Sequence, residues 1–270
     1  MKEGTPPNLA HYPLAYKNEK FLDSDDARAL RILAEYLEPL HRFREQQVPG
    51  TVVFFGSARL AADGPLGRYY AEARELARLF TAWSNSLPPS APRFLVCSGG
   101  GHGIMEAANL GAAEAKGRTV GLNISLPEEQ SANDHITPEL SFEFHYFFMR
   151  KLWFAHLARA VVVFPGGFGT LDEMSEILTL SQTRKLEGTM TVILYGEPYW
   201  REVINFDALV KHGMINAEDL KLFSFASTPA AALEQLKRGI APWLQASSPA
   251  YTKTRPTGRE LLFLYQRSGD

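Results

Sequence analysis

The sequence predicts an α/β chain, a doubly wound, mostly parallel sheet with helices on both faces, carrying an N-terminal helical extension and a C-terminal extension. Three observations predict it. Short apolar runs without polar alternation recur at residues 51–57, 94–97, 119–124, 161–164 and 191–196, as expected of strands covered on both faces. Stretches of helical character lie between them, and strands alternating with helices build parallel, Rossmann-like sheets. Three of the runs stop in glycine, at Gly56-Ser57, at residues 99–103 (GGGHG) and at residues 165–169 (PGGFG). Those are the carboxyl ends of strands, where such folds bind ligands.

The elements follow in order. Residues 1–20 carry Pro, Asn and Lys without periodicity and read as an irregular arm. Ser24 with Asp25 and Asp26 reads as a helix start. Leu30, Leu33, Leu37 and Leu40 then form one stripe, for the core or for a second subunit, and Pro39 is expected to kink or restart that helix. After the first strand and its Gly56-Ser57 loop, a helix is expected over 68–83, followed by a second strand, glycine loop and helix. Residues 119–124 make a third strand. The polar loop 126–135 follows it, and residues 141–147 (SFEFHYF) read as a short exposed strand. Beyond a helix dense in aromatics come the strand 161–164, the turn 165–169 and its helix. A strand at 191–196, a helix at 198–212, a last strand in LFSFAS and an amphipathic helix at 229–244 complete the pattern. The expected division is an arm and helix over 1–48, the α/β domain over 49–245 and a tail over 246–270.

A chain of 270 residues with 45% hydrophobic content can bury one large core. Its formal net charge of −2, with Lys and Arg scattered, offers no footprint for nucleic acid. The single cysteine, Cys97, leaves no intramolecular disulfide and suits a reducing compartment. The first ten residues lack the apolar core of a signal peptide, and no run approaches the length that crosses a bilayer, so no membrane partner and a cytoplasmic location are expected.

The turn at 165–169 carries the sharpest chemical signal. Gly166, Gly167 and Gly169 let a ligand approach the main chain, and Thr170 reads as the N-cap of the next helix, whose unpaired N–H groups suit an anion, most often a phosphate. Residues 170–173 also spell a capping box, in which Glu173 bonds back to the N-cap backbone. The spacing fits neither GxGxxG nor GxxxxGK[ST], so no NAD or ATP cofactor is expected. His102, His135, His145 and His156 have no metal-ligand spacing, so no metal is expected either. The Ser57 and Ser98 loops lack the G-x-S-x-G elbow of a serine nucleophile.

Residues 165–173 (PGGFGTLDE) match the PGGxGTxxE signature of the LOG family of cytokinin-activating phosphoribohydrolases, with Asp172 in place of a more usual glutamate. Arg150-Lys151 upstream and residues 99–106 (GGGHGIME) strengthen the resemblance, which covers roughly 51–196. It implies hydrolysis of the N-glycosidic bond of a nucleoside 5′-monophosphate, AMP or an N6-modified AMP, to free base and ribose 5-phosphate. Arg150 and Glu173 are the implied catalytic residues. Substrate contacts are expected from Gly56, Ser57, Gly100, Gly101, Glu129, Lys151, Gly166, Gly167, Gly169, Thr170 and Thr179, and a homodimer is expected. Two alternatives stand beside this reading. One is a broader purine or pyrimidine nucleotide nucleosidase, and the other a non-catalytic carrier of a phosphorylated ligand. The "lysine decarboxylase" label often attached to such proteins finds no support in the sequence.

Overall fold

The computed structural model describes residues 13–126, 131–186 and 188–245. Seven strands form one sheet in the order β4-β3-β2-β1-β5-β6-β7: β1 (Thr51–Phe55), β2 (Leu95–Ser98), β3 (Thr119–Ile124), β4 (Ser141–Phe144), β5 (Ala158–Val163), β6 (Thr191–Tyr195) and β7 (Ser224–Ala226). Every pairing is parallel, so the sheet expected to be mostly parallel is wholly so. The order reverses between β1 and β5, which makes their carboxyl ends the natural ligand crevice.

Successive residues of each central strand feed two separate cores. Val53, Phe55, Val161 and Val163 face one layer, with α2 (Arg28–Glu45), α5 (Phe147–Leu157), α6 (Phe168–Gln182) and α7 (Glu197–Val203). Val52, Phe54, Val162 and Phe164 face the other, with α3 (Gly67–Ser86), α4 (Ile104–Glu114) and α9 (Pro229–Gln245). Burial on both faces is why these strands read as unbroken apolar runs. Each fully buried Val, Leu or Phe contributes about 1.5–3 kcal/mol relative to exposure.

Several local expectations change. Within the expected arm, residues 15–17 form a 3₁₀ turn and α1 spans Glu19–Leu22. Ser24 caps nothing with its side chain; its hydroxyl donates to the Phe21 carbonyl at 2.6 Å, a 3₁₀ turn follows, and α2 starts only at Arg28. Pro39 neither ends nor restarts α2. Proline cannot donate to the carbonyl four residues back, and that carbonyl, of Glu35, accepts the Trp153 indole N–H instead at 2.9 Å. The Glu35 carboxylate meanwhile takes the backbone N–H groups of His145 and Tyr146, at 2.7 and 3.2 Å, at the start of α5. One glutamate therefore pins the helix that carries Arg150. The strand expected to be exposed at 141–147 is the edge strand β4, ending at Phe144, with Phe142 and Phe144 buried in the core. The helix expected over 198–212 is two, α7 and α8 (Phe206–Lys211), because Asn205 caps the second by accepting from Ala208 N–H at 2.9 Å. Of the leucine stripe, Leu40 enters the core while Leu30, Leu33 and Leu37 stay 44–49% exposed.

Candidate active site

The loops after β1, β2 and β5 meet at one end of the sheet, and Ser57 joins them. Its N–H donates to the Pro165 carbonyl at 3.0 Å, and its carbonyl accepts the Ile104 N–H at 3.2 Å. Gly56 packs directly on Ile104. The loop after β2 is held by a buried neutral network. Ser98 Oγ donates to Asn109 Oδ1 at 2.6 Å and accepts the Gly100 N–H at 3.1 Å. Asn133 Nδ2 reaches the Gly100 and Gly101 carbonyls and Asn109 Oδ1, each at 3.0 Å. Gly103, with φ +64°, then opens α4 in a conformation closed to most side chains.

The loop after β5 corrects the sequence reading. The N-cap of α6 is Gly167, not Thr170, which lies buried within the first turn. Thr170 packs against the Gly166 backbone, where any side chain on residue 166 would collide with it. With Gly167 as the cap, residues 170–173 form no capping box, and Glu173 is free of that structural duty. Nothing stands within 4 Å of where a Cβ would lie on Gly167 or Gly169, no side chain caps the helix at Gly167, and the first N–H groups of this fifteen-residue helix have no partner within the helix.

Glu173 meets Arg150 beneath this turn. Arg150 Nη2 donates to Glu173 Oε1 at 3.3 Å, and their side chains are 12% and 14% exposed. Phe147, Arg150 and Phe154 lie on one stripe of α5, which sets the guanidinium over both rings, at 5.2 and 5.7 Å. Arg150 Nε is buried without a hydrogen-bond partner among the described residues. Burial pushes the Glu173 carboxyl from its ordinary 4.5 up to about 7, against the pull of Arg150. Burial likewise lowers Arg150, opposed by Glu173, Asp172 and Glu143. Cys97 lies below, its thiol raised by burial and by the charge of Glu173.

Other expected residues stand differently. Burial pulls the Lys151 amine down, but bonds to Asp172 at 3.0 Å and Glu176 at 3.2 Å more than offset it. Thr179 is exposed, its hydroxyl spent on the Ser175 carbonyl at 2.7 Å. Glu129 lies outside the described residues. The sequence reading missed Asn109 and Asn133, although an asparagine inside the apolar run IMEAANLGAA signals a buried amide that must find partners. Among the described residues no group of three or more His, Cys, Asp or Glu side chains is placed to hold a metal, and no helix is long and apolar enough to cross a membrane.

Comparison with known proteins accords with this geometry. A family model described as "Possible lysine decarboxylase" matches residues 105–236, which contain Arg150, the whole glycine turn and Glu173. The matched stretch is 132 of the 270 residues, and over it the chain resembles that family. A relative from Oryza sativa subsp. japonica, the probable cytokinin riboside 5′-monophosphate phosphoribohydrolase LOG4, is 27% identical over 150 residues, 54% of this chain and 64% of that protein. The X-ray structure of TM1055 covers 70% of this chain and 99% of its own at 22% identity and a TM-score of 0.50, a likeness of fold. The Moco carrier protein of Chlamydomonas reinhardtii covers 72% of this chain and 99% of its own at 21% identity and a TM-score of 0.48. The decarboxylase wording of that family model gains nothing from the site, since the Lys151 amine is engaged by two carboxylates.

Proposed function

We propose that this protein hydrolyses the N-glycosidic bond of a nucleoside 5′-monophosphate, AMP or an N6-modified AMP such as a cytokinin nucleotide, releasing free base and ribose 5-phosphate. The observation that carries the reading is the buried Arg150–Glu173 pair set beneath an open glycine turn. The phosphate docks on the N–H groups at the start of α6, which anchors the sugar over Glu173. Cleavage builds positive charge at C1′, and an adjacent carboxylate stabilises that state more than the ground state. Water bonds to C1′ as the C1′–N bond breaks, its electron pair leaving on the base nitrogen, which takes up a proton from solvent, and a carboxylate with a pKa near 7 is matched to taking the water's proton. Arg150 keeps its proton, orients Glu173 and holds its pKa from rising further.

A carrier of a phosphorylated ligand has no use for a buried ionisable carboxylate beside the sugar, so Glu173 favours hydrolysis. The test is a panel of nucleoside monophosphates, plain and prenylated, with the matching nucleosides, assayed for released base. Release from monophosphates far above that from nucleosides is expected, and equal efficiency on both overturns the reading. The same proposal takes the protein as a homodimer, in which the exposed stripe Leu30, Leu33 and Leu37 is covered by a second copy. A monomeric mass in light scattering at micromolar concentration removes that part.

A further inference from the structure

Arg150 and Lys151 are consecutive on α5, and each meets α6 at a different place. Arg150 faces Glu173, while Lys151 stands between Asp172 and Glu176. Asp172 and Glu176 are four residues apart on α6, one turn from each other, so both carboxylates reach one ammonium. Lys151 Nζ lies 3.0 Å from each carboxylate oxygen of Asp172 and 3.2 Å from Glu176 Oε2. A lysine ammonium has three protons to donate. Three carboxylate oxygens at hydrogen-bond distance therefore use its whole donor capacity, and two negative charges beside it repel a phosphate. Lys151 is largely buried, and it borders a narrow crevice with Phe55, Phe154, Glu173, Glu176 and Ile177. Phe154 also lies against the Arg150 guanidinium, at 5.7 Å. The Lys151 bridge thus adjoins the Arg150–Glu173 pair in sequence on both helices and shares its apolar floor. The charges facing Glu173 come from both helices. Arg150 and Lys151 on α5 pull its carboxyl pKa down, and Asp172 and Glu176 on α6 push it up. From the sheet, the Cys97 thiol on β2 is held protonated by burial, and Glu143 on β4 acts on Arg150. Without Lys151, Asp172 and Glu176 lose their common partner, repel each other and act on Glu173 unopposed.

We propose that Lys151 is a positioning residue and not a substrate ligand: bridged to Asp172 and Glu176, it ties α5 to α6 and sets the alignment at which Arg150 faces Glu173. The proposal rests on the hydrolase reading for what that pair does, so its test reads Glu173 directly as well as turnover. Carbon-13 NMR of the full chain with labelled glutamate follows the Glu173 carboxyl, its signal assigned from Glu173→Gln. Lys151→Met removes a cation and is expected to move that titration up from about 7. Asp172→Asn removes an anion and is expected to move it down, each shift being about half a pH unit or more. Asp172 is exposed, so its variant keeps the test standing if Lys151→Met fails to fold. In calorimetry Lys151→Met is expected to bind ribose 5-phosphate within about twofold of wild type, with the KM for a nucleoside monophosphate equally unmoved. Its kcat is expected to fall about tenfold as the reacting groups lose alignment, and Lys151→Arg to recover most of it. Ribose 5-phosphate affinity that falls about tenfold or more in Lys151→Met, as for loss of a charged donor, makes the lysine a ligand and overturns the proposal. A Glu173 titration that neither variant moves overturns it as well. If the titration moves as expected but no monophosphate releases its base, the bridge stands and the hydrolase reading falls. If base is released while Lys151→Met raises KM with kcat held, the bridge assignment falls alone.

Discussion

The two long glycine loops bury polar groups in opposite ways. After β2, Ser98, Asn109 and Asn133 form a neutral network in which each side chain has partners. After β5, the chain buries an ion pair at 3.3 Å, leaves Arg150 Nε without a partner among the described residues, and leaves the start of α6 without a side-chain cap. A satisfied network contributes stability and rigidity. An unsatisfied one costs stability and is kept where a ligand completes it. On the proposed function, the first loop is a wall and the second is the working surface.

The largest expected break in this contrast is Glu173→Gln. Turnover is expected to fall about a hundredfold or more, as for loss of a positioned electrostatic group, measured as base released per folded enzyme. Stability is expected to move the other way. Glu173 holds its proton more tightly folded, at about 7, than unfolded, near 4.5. The folded chain thus binds the extra proton between those values, and the group's contribution is lost as pH rises through that window. At pH 8 its ionisation costs about 3 kcal/mol. Glutamine escapes that cost, so the variant is expected to melt higher than wild type at pH 8, with the gain vanishing toward pH 4.5 in scanning calorimetry. Equal melting at pH 8 contradicts the buried, destabilised carboxylate.

Asn133→Ala tests the opposite wall. It takes the amide donor from the buried Gly101 carbonyl, while the Gly100 carbonyl keeps the residue-133 backbone N–H and Asn109 Oδ1 keeps Ser98 Oγ, and about 1–3 kcal/mol of stability is expected to go, read by denaturant titration. A variant as stable as wild type shows that the network is dispensable. A subtler test is the pH profile. Because the ionised carboxylate is the working form, kcat/KM is expected to rise with pH through about 7, and Arg150→Met, which removes the cation opposing that rise in pKa, to move the acid limb upward. An unmoved limb in the variant separates Arg150 from the titration of Glu173. The smallest effect is expected at Thr179→Ala, since its hydroxyl serves its own helix on an exposed face. KM within twofold of wild type is the expected result, and a large rise returns Thr179 to the site.

The sequence by itself determined the elements whose causes are local. Unbroken valine and phenylalanine runs become central parallel strands because burial on both faces leaves no polar side. PGGFG becomes a strand-to-helix turn because proline removes a ladder donor and three glycines clustered after it leave little to hold an extended strand. Arg150 and Glu173 were legible as candidate site residues through the resemblance, though not their pairing at 3.3 Å. Only the tertiary structure decided what depends on distant partners. The cap of α6 fell to Gly167 because Thr170 packs on Gly166, and Pro39 passed through α2 because Trp153, more than a hundred residues on, supplied a donor to the Glu35 carbonyl. Ser57 reaches the Pro165 carbonyl only because β1 and β5, far apart in the chain, are neighbours in the sheet. The carboxyl of Glu173 titrates near neutrality because folding strips its water while leaving it one cation at 3.3 Å, and desolvation is a property of the packed surroundings rather than of any stretch of chain.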